Sequence, residues 1–346
     1  MNKTDTTIYG RISRHILRVA THPDLIFFII VWILAGIYYG DVFHIAQQHS
    51  FYSQLPALMK GLWEQPYGML WIIGRLLIQP FYYPLAGGAL LAAMLTTISM
   101  LFGYVCRLRG RTEYLKYIPA FAYLYIVFYE GFDLYYQAET GKVMGIPFCA
   151  WTILLLQGLF VRSFKRRRKR AALSPSEAYG GKVRCIAFML LLTLCAVMFN
   201  EWQRPYVRTT TRMQRLMAAK DWAGMRAVPS EADMGFSTVA AYYAIARMQD
   251  TSDIRHVPID QLPQSANPVF LHNRSGNPES GRDYFLLDYC IATEQYHMAY
   301  ELGKAELKRD GASPYLLKQL ITVCLAMGQQ DEADDFSALL HCLPFE

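Results

Sequence analysis

The chain has 346 residues, 53% apolar and only 18% charged, with a formal net charge of +6; an ordinary soluble protein carries about 25% charged residues. That charged share excludes one soluble domain of average surface, and the length allows two domains. The basic excess lies in short loops between apolar runs and no recognition motif accompanies it, so topology accounts for it and no nucleic-acid partner is expected.

Up to about Trp202 apolar runs alternate with basic clusters; after Arg204 the chain reads as a soluble domain. The expected fold class is all-α, with a helical transmembrane bundle over 1–203 and a soluble, TPR-like helical repeat domain over 204–346. A span needs about 20 mostly apolar residues, and in lipid the backbone must close its own hydrogen bonds, so the spans are helices. Five runs qualify, at about 25–40, 84–106, 117–136, 143–161 and 183–199. The first, LIFFIIVWILAGIYY, lacks a clear small-x-small cleavage site and reads as a signal anchor. Residues 68–81 (GMLWIIGRLLIQPF) are short, carry Arg75 at their centre and contain Pro80, so they read as a re-entrant or interfacial helix.

Cytoplasmic loops carry an excess of Lys and Arg. Such clusters are Lys3, Arg11, Arg14 and Arg18; Arg107, Arg109, Arg111 and Lys116; and RSFKRRRKR followed by Lys182 and Arg184. The intervening loops hold only Lys60 and Lys142. The three clusters share one side only if 68–81 does not cross. The expected order is a cytoplasmic N-terminus, five spans in the inner membrane of a bacterium and a periplasmic tail.

In the tail, DYFLLDYCIATEQYHMAYELGKAELKRDG and SPYLLKQLITVCLAMGQQDEADDFSALL each read as two amphipathic helices joined by a tight turn. Ala299 and Ala333 are 34 residues apart, which is the tetratricopeptide period. Pro314 suits the first position of a helix. A degenerate earlier unit, MQRLMAAKDWAGMRAV, places Ala223 after its turn, with a helix over Ser237–Met248 following. Residues 250–282 lack periodicity and read as a long loop. A helical-repeat domain generally binds a peptide or protein on its concave face, so the expected partners are the lipid bilayer and a protein docked by the tail.

Candidate chemistry is sparse. No Walker loop, GxGxxG, nucleophile elbow or HExxH is present, and His44 and His49 lack metal spacing, so no cofactor or metal is expected. Cys290 and Cys324 are 34 apart; on stacked helices 8–10 Å apart they would be too distant for a disulfide. Asp41, Glu64, Glu130, Asp133 and Glu139 fall on the expected outer side, with Arg75 either near them or snorkelling to headgroups. Glu130 and Asp133 share a helical face. Asp41, Glu130, Asp133 and Arg75 are the candidate catalytic residues, although no motif names a reaction and a binding role is favoured over an enzymatic one.

An acid directly after the first span, followed by an outer loop with amphipathic helices, resembles the multi-span glycosyltransferases that use lipid-linked sugars. That resemblance implies Asp41 as base, with Glu130 and Asp133 near the lipid carrier. This chain has fewer spans than those enzymes and no DxD or ExD pair after the first. WEQPYGMLWIIGRLLIQPFYYPLAGGALLAAML and the pattern around RLMAAKDWAGM resemble an uncharacterised family of multi-pass membrane proteins from Bacteroidetes-type bacteria. The second resemblance implies a membrane part with a helical, repeat-like tail. The readings carried forward are a membrane-anchored interaction module, an outer-face transferase and, last, a small transporter, which spans nearly devoid of polar residues disfavour.

Overall fold

The computed structural model describes residues 22–130, 141–163, 175–230, 232–249 and 282–344. Among them the chain is all-α, with no strand. Helix α1 (Pro23–Ile33) opens with proline at its first position, where the missing N–H costs nothing. It continues through a π-turn (Leu34–Tyr38), then bends by 65° into α2 (Gly40–Gln48); a π segment is a recognised cause of such a kink. Two short helices, α3 (Pro56–Trp63) and α4 (Gly68–Ile78), lead through a 3-10 turn (Gln79–Tyr82) to α5 (Pro84–Val105). A second 3-10 segment (Gly110–Tyr117) precedes α6 (Ile118–Glu130), α7 (Gly141–Ser163) and α8 (Pro175–Gln203).

Helices α1, α5, α6, α7 and α8 run between two ends of one bundle. At one end Asp24 accepts hydrogen bonds from Lys116 and Tyr117, both at 2.8 Å, and the ring of Tyr114 packs on Phe188. At the other end Trp32 donates to the carbonyl of Leu85, and Asn200 donates to the Tyr39 hydroxyl. The basic residues of 107–116 and of 182–184 therefore share one end, opposite the end from which the tail leaves.

By length and composition α5, Gly141–Arg162 of α7 and Gly180–Gln203 of α8 can cross a membrane. Helix α1 passes the same test only together with the bent α2. Among the described residues, three helices, or four with the bent pair, are thus long and apolar enough for the five expected spans. Helix α6 is described over 13 residues, to Glu130, and residues 131–136 of the expected third span lie outside the described residues. The outward face of these helices is apolar: Leu156 and Phe160 of α7, and Leu190, Leu194 and Met198 of α8, are each more than half exposed. A water-soluble monomer rarely leaves so continuous an apolar surface uncovered.

Helix α4 lies against α7 rather than running the length of the bundle. Its 11 residues span about 16 Å, half the hydrocarbon thickness. Glycine makes the contact possible, because a Cβ on Gly74 would overlap the carbonyl oxygen of Gly141. Arg75 does not snorkel outward. It is 7% exposed, and its Nη1 donates to the carbonyl of Phe51 at 3.1 Å. The glycine contact draws α4 so close to α7 that the arginine stem is covered.

The tail comprises α9 (Tyr206–Ala218), α10 (Trp222–Ala227), α11 (Ser237–Gln249), α12 (Arg282–Ala292), α13 (Tyr296–Asp310), α14 (Pro314–Ala326) and α15 (Gln330–Leu340). The pairs α9/α10, α12/α13 and α14/α15 turn on the same joint. Lys220, Glu294 and Gly328 each adopt left-handed backbone. The next amide, of Asp221, Gln295 or Gln329, donates to the carbonyl five residues back, on Leu216, Cys290 or Cys324. This is the helix-ending hydrogen bond that a left-handed residue permits. Five residues beyond the left-handed position stand Met225, Ala299 and Ala333, all buried. Met225, not Ala223, therefore occupies the equivalent place in the first unit; a search for a small residue misses it because the side chain there is bulkier. First helices stack in the order α9, α11, α12, α14. The stretch read as a long loop, 250–282, lies outside the described residues except for Arg282, which opens α12.

Bundle and tail share packing. Helix α9 lies on α2, and one cluster of buried apolar side chains runs from Phe27 to Tyr289. A second cluster, including Leu287, Ala299, Leu316 and Leu320, lies beneath α12 to α14.

Candidate functional site

The junction of bundle and tail begins with an amphipathic α2. Its apolar face (Val42, Phe43, Ile45, Ala46) is buried, which leaves Asp41 and His44 toward the tail. Asp41 Oδ1 accepts from Arg215 Nη1 of α9 at 2.5 Å. Beside this pair, Glu201 at the end of α8 accepts from Tyr38 (3.2 Å), Tyr39 (3.3 Å) and Arg208 (3.4 Å). The Arg208 guanidinium also stacks 3.7 Å above the Tyr38 ring. These bonds tie the first tail helix to the end of the bundle.

Between α2 with the 3-10 turn on one side and α9, α11, α12 and α14 on the other lies a cavity of about 890 Å³. Ligand sites commonly fall in this size range. Its walls include aromatic rings of Tyr82, Trp222, Tyr296 and Tyr315 and amides of Gln48, Gln214, Gln249 and Gln319. Its most buried acid is Asp288, 3% exposed, which accepts from Tyr242 (2.8 Å) and Gln319 (2.9 Å). Burial pushes its carboxyl up to about 7, against hydrogen bonds from Tyr315 and Tyr242 that hold it down.

Two histidines of α2 and its cap face this region. His44 lines the cavity, with Nδ1 3.3 Å from the carbonyl of Phe81; burial lowers its pKa, partly offset by that contact. His49 is buried with its ring centroid 4.7 Å from that of Tyr315, and burial holds it down to about 3. Both imidazoles are therefore neutral near pH 7.

Of the residues singled out from sequence, the structure brings Asp41 to the cavity's edge through Arg215, while Arg75 lies apart between α4 and α7. Glu64 is exposed and pairs with Lys60 at 4.0 Å. Glu130 is the last residue of α6; Asp133 and Glu139 lie outside the described residues. Cys290 and Cys324 are buried free thiols. Asp288 escaped sequence reading. Its one local signal is an acid inside the otherwise apolar YFLLDYCIA, which an amphipathic pattern assigns to the solvent face.

Among the described residues no group of three or more His, Cys, Asp or Glu could hold a metal ion. The cavity supplies hydrogen-bonding oxygens and rings, which suits recognition of a ligand. A family model described as a family of unknown function matches residues 14–342. No curated protein and no solved structure matches the chain.

Proposed function

The chain belongs to that family of unknown function, DUF6057, and we propose that it is a membrane-anchored binding module: five spans in a bacterial inner membrane, a cytoplasmic N-terminus and a periplasmic TPR-like tail that docks a partner. The observation that carries this reading is the cavity of about 890 Å³ built jointly by α2 and the tail helices. An inert anchor has no need of a polar, aromatic-walled chamber at that junction. The family match spans bundle and tail together, which favours one unit over an appended domain.

Sidedness is supported by the basic residues gathered at the end opposite the tail. The third of the five spans is the run at 117–136 in the sequence, which rests on its length and apolar composition. The recurring left-handed joint and the 34-residue spacing of Glu294 and Gly328 support the repeat reading. A transferase using Asp41 as base is not favoured, because that carboxylate is engaged by Arg215.

Two measurements test the proposal. Exposed Cys106 and a cysteine introduced at exposed Gln330 are labelled in intact cells with a membrane-impermeant maleimide. Labelling at 330 but not 106 is expected, and the reverse overturns the topology. A photocrosslinking residue at Thr322, on the cavity, is expected to give a discrete adduct that is absent from exposed Lys308 on α13. Equal adducts at both positions, or none at either, overturn the docking role.

A further inference from the structure

The hydrogen-bonding pattern of the cavity restricts what it can hold. Gln319 uses one N–H of its amide on Asp288, Gln249 uses one on the carbonyl of Ala292 (3.2 Å), and Gln48 uses one on Gln47 (2.7 Å). Each amide therefore keeps a carbonyl oxygen and a second N–H. A ligand that satisfies them must both donate and accept at closely spaced points. Three rings, of Tyr82, Trp222 and Tyr296, supply flat apolar surface in the same chamber.

Charge narrows the choice further. Asp41, outside the lining, engages Arg215, so the other charges on the wall are Lys220 and Lys318 against Asp288 and Glu294, and no single sign dominates. A cationic amine would meet the two lysines, and an anion would meet the two acids. A peptide carries its donors and acceptors on separate, rigidly oriented groups, whereas each of these amides presents a donor and an acceptor side by side. A pyranose fits on both counts. Each of its hydroxyls can donate and accept and rotates to suit, and its C–H face packs on aromatic rings.

We propose that this cavity is a binding site for a neutral saccharide, held by the amides of Gln48, Gln249 and Gln319 and stacked on Tyr82, Trp222 and Tyr296. It deepens the binding-module reading by naming the ligand class and rests on that reading. Tyr83 and Pro84, at the start of apolar α5, also form part of the wall. The saccharide can therefore reach the site free in solution or as the headgroup of a glycolipid, and the chemistry recognised is the same.

The test uses the full chain in nanodiscs, extracted with a polyoxyethylene detergent because sugar detergents would compete. Cellobiose, maltose and chitobiose are titrated to about 20 mM, enough to detect millimolar affinity, with Trp222 fluorescence as the readout and Trp222→Phe as the blank. Saturable binding of at least one disaccharide is expected. Gln249→Leu and Tyr296→Ala should each weaken it tenfold or more with the melting temperature unchanged. A deoxy analogue lacking one bound hydroxyl should also lose at least tenfold, since a buried acceptor is left unpaired. A second arm replaces the free sugar with nanodiscs containing glucosyl-diacylglycerol: binding in that arm alone assigns a lipid headgroup, and binding of the free sugar alone assigns a soluble source, both supporting the site. Absence of saturable binding in both arms overturns the proposal, as does binding that both variants leave intact or a preference for trialanine over every sugar. The thiol-labelling result is independent of these titrations, so a failed sugar site is distinguishable from a failed topology.

Discussion

Asp41 and Arg215, 174 positions apart in the chain, meet at 2.5 Å across the joint between the bundle and the first tail helix. Their side chains are 28% and 52% exposed, so water screens the pair and its contribution is under about 1 kcal/mol. Its importance is geometric, because α9 carries one wall of the cavity and α2 another.

Charge swapping reads that geometry. Asp41→Arg or Arg215→Asp alone should lower the melting temperature of the full chain by a few degrees at most. The combined swap should restore most of the loss, with a coupling of roughly 0.2–1 kcal/mol in a double-mutant cycle. Additive losses in the double variant would mean that the two side chains do not interact in solution.

Asp288 and His49 give opposite pH signatures. Burial raises the Asp288 carboxyl from its ordinary 3.8 to about 7, so between those values the folded chain keeps a proton that the unfolded chain has lost. Its share of stability is full below 3.8, falls as pH rises and is gone above about 7. Burial lowers His49 from 6.5 to about 3, so its share is full above 6.5 and falls as pH drops. Between about 4 and 6.5 the two trends offset each other in the parent protein. The gain in melting temperature of Asp288→Asn over the parent should therefore grow from pH 4 to pH 7. The gain of His49→Phe should grow from pH 6.5 downward. A pH-independent difference for either variant would contradict the burial of that group.

The contact of α4 with α7 depends on the absence of a side chain at Gly74, where a Cβ would overlap Gly141 backbone. Gly74→Ala should cost about 1–3 kcal/mol through overpacking, measured as thermal stability of the full chain in detergent. Gly61 in α3 has no atom within 4 Å of an added Cβ, so Gly61→Ala should be neutral or stabilise by up to about 1 kcal/mol. Equal effects at the two positions would argue against the α4–α7 contact.

The three tail joints predict a reciprocal pair of results. Lys220 and Glu294 hold left-handed backbone that glycine adopts freely, whereas Gly328 already supplies glycine at the same place, with φ +73°. Glu294→Gly should raise stability, and Gly328→Ala should lower it, each by roughly 1 kcal/mol. If Glu294→Gly lost stability instead, the joints would not be equivalent.

Sequence alone determined the all-α class, the apolar character of α5, α7 and α8, the gathering of basic residues in the loops at one end, and the turns at Lys220, Glu294 and Gly328. Each is written in short-range terms: run length, the 3.6-residue period, and the residue that ends a helix. The tertiary structure decided that Arg75 is buried, that Met225 and not Ala223 matches Ala299, and that Asp288 lies in a chamber lined by four glutamines. Those outcomes depend on which helix faces meet over separations such as 41 to 215 or 242 to 288. Local periodicity places a side chain on one face of its own helix but carries no information about the distant face that covers it, and burial against that face sets the ionisation of Asp288 and His49.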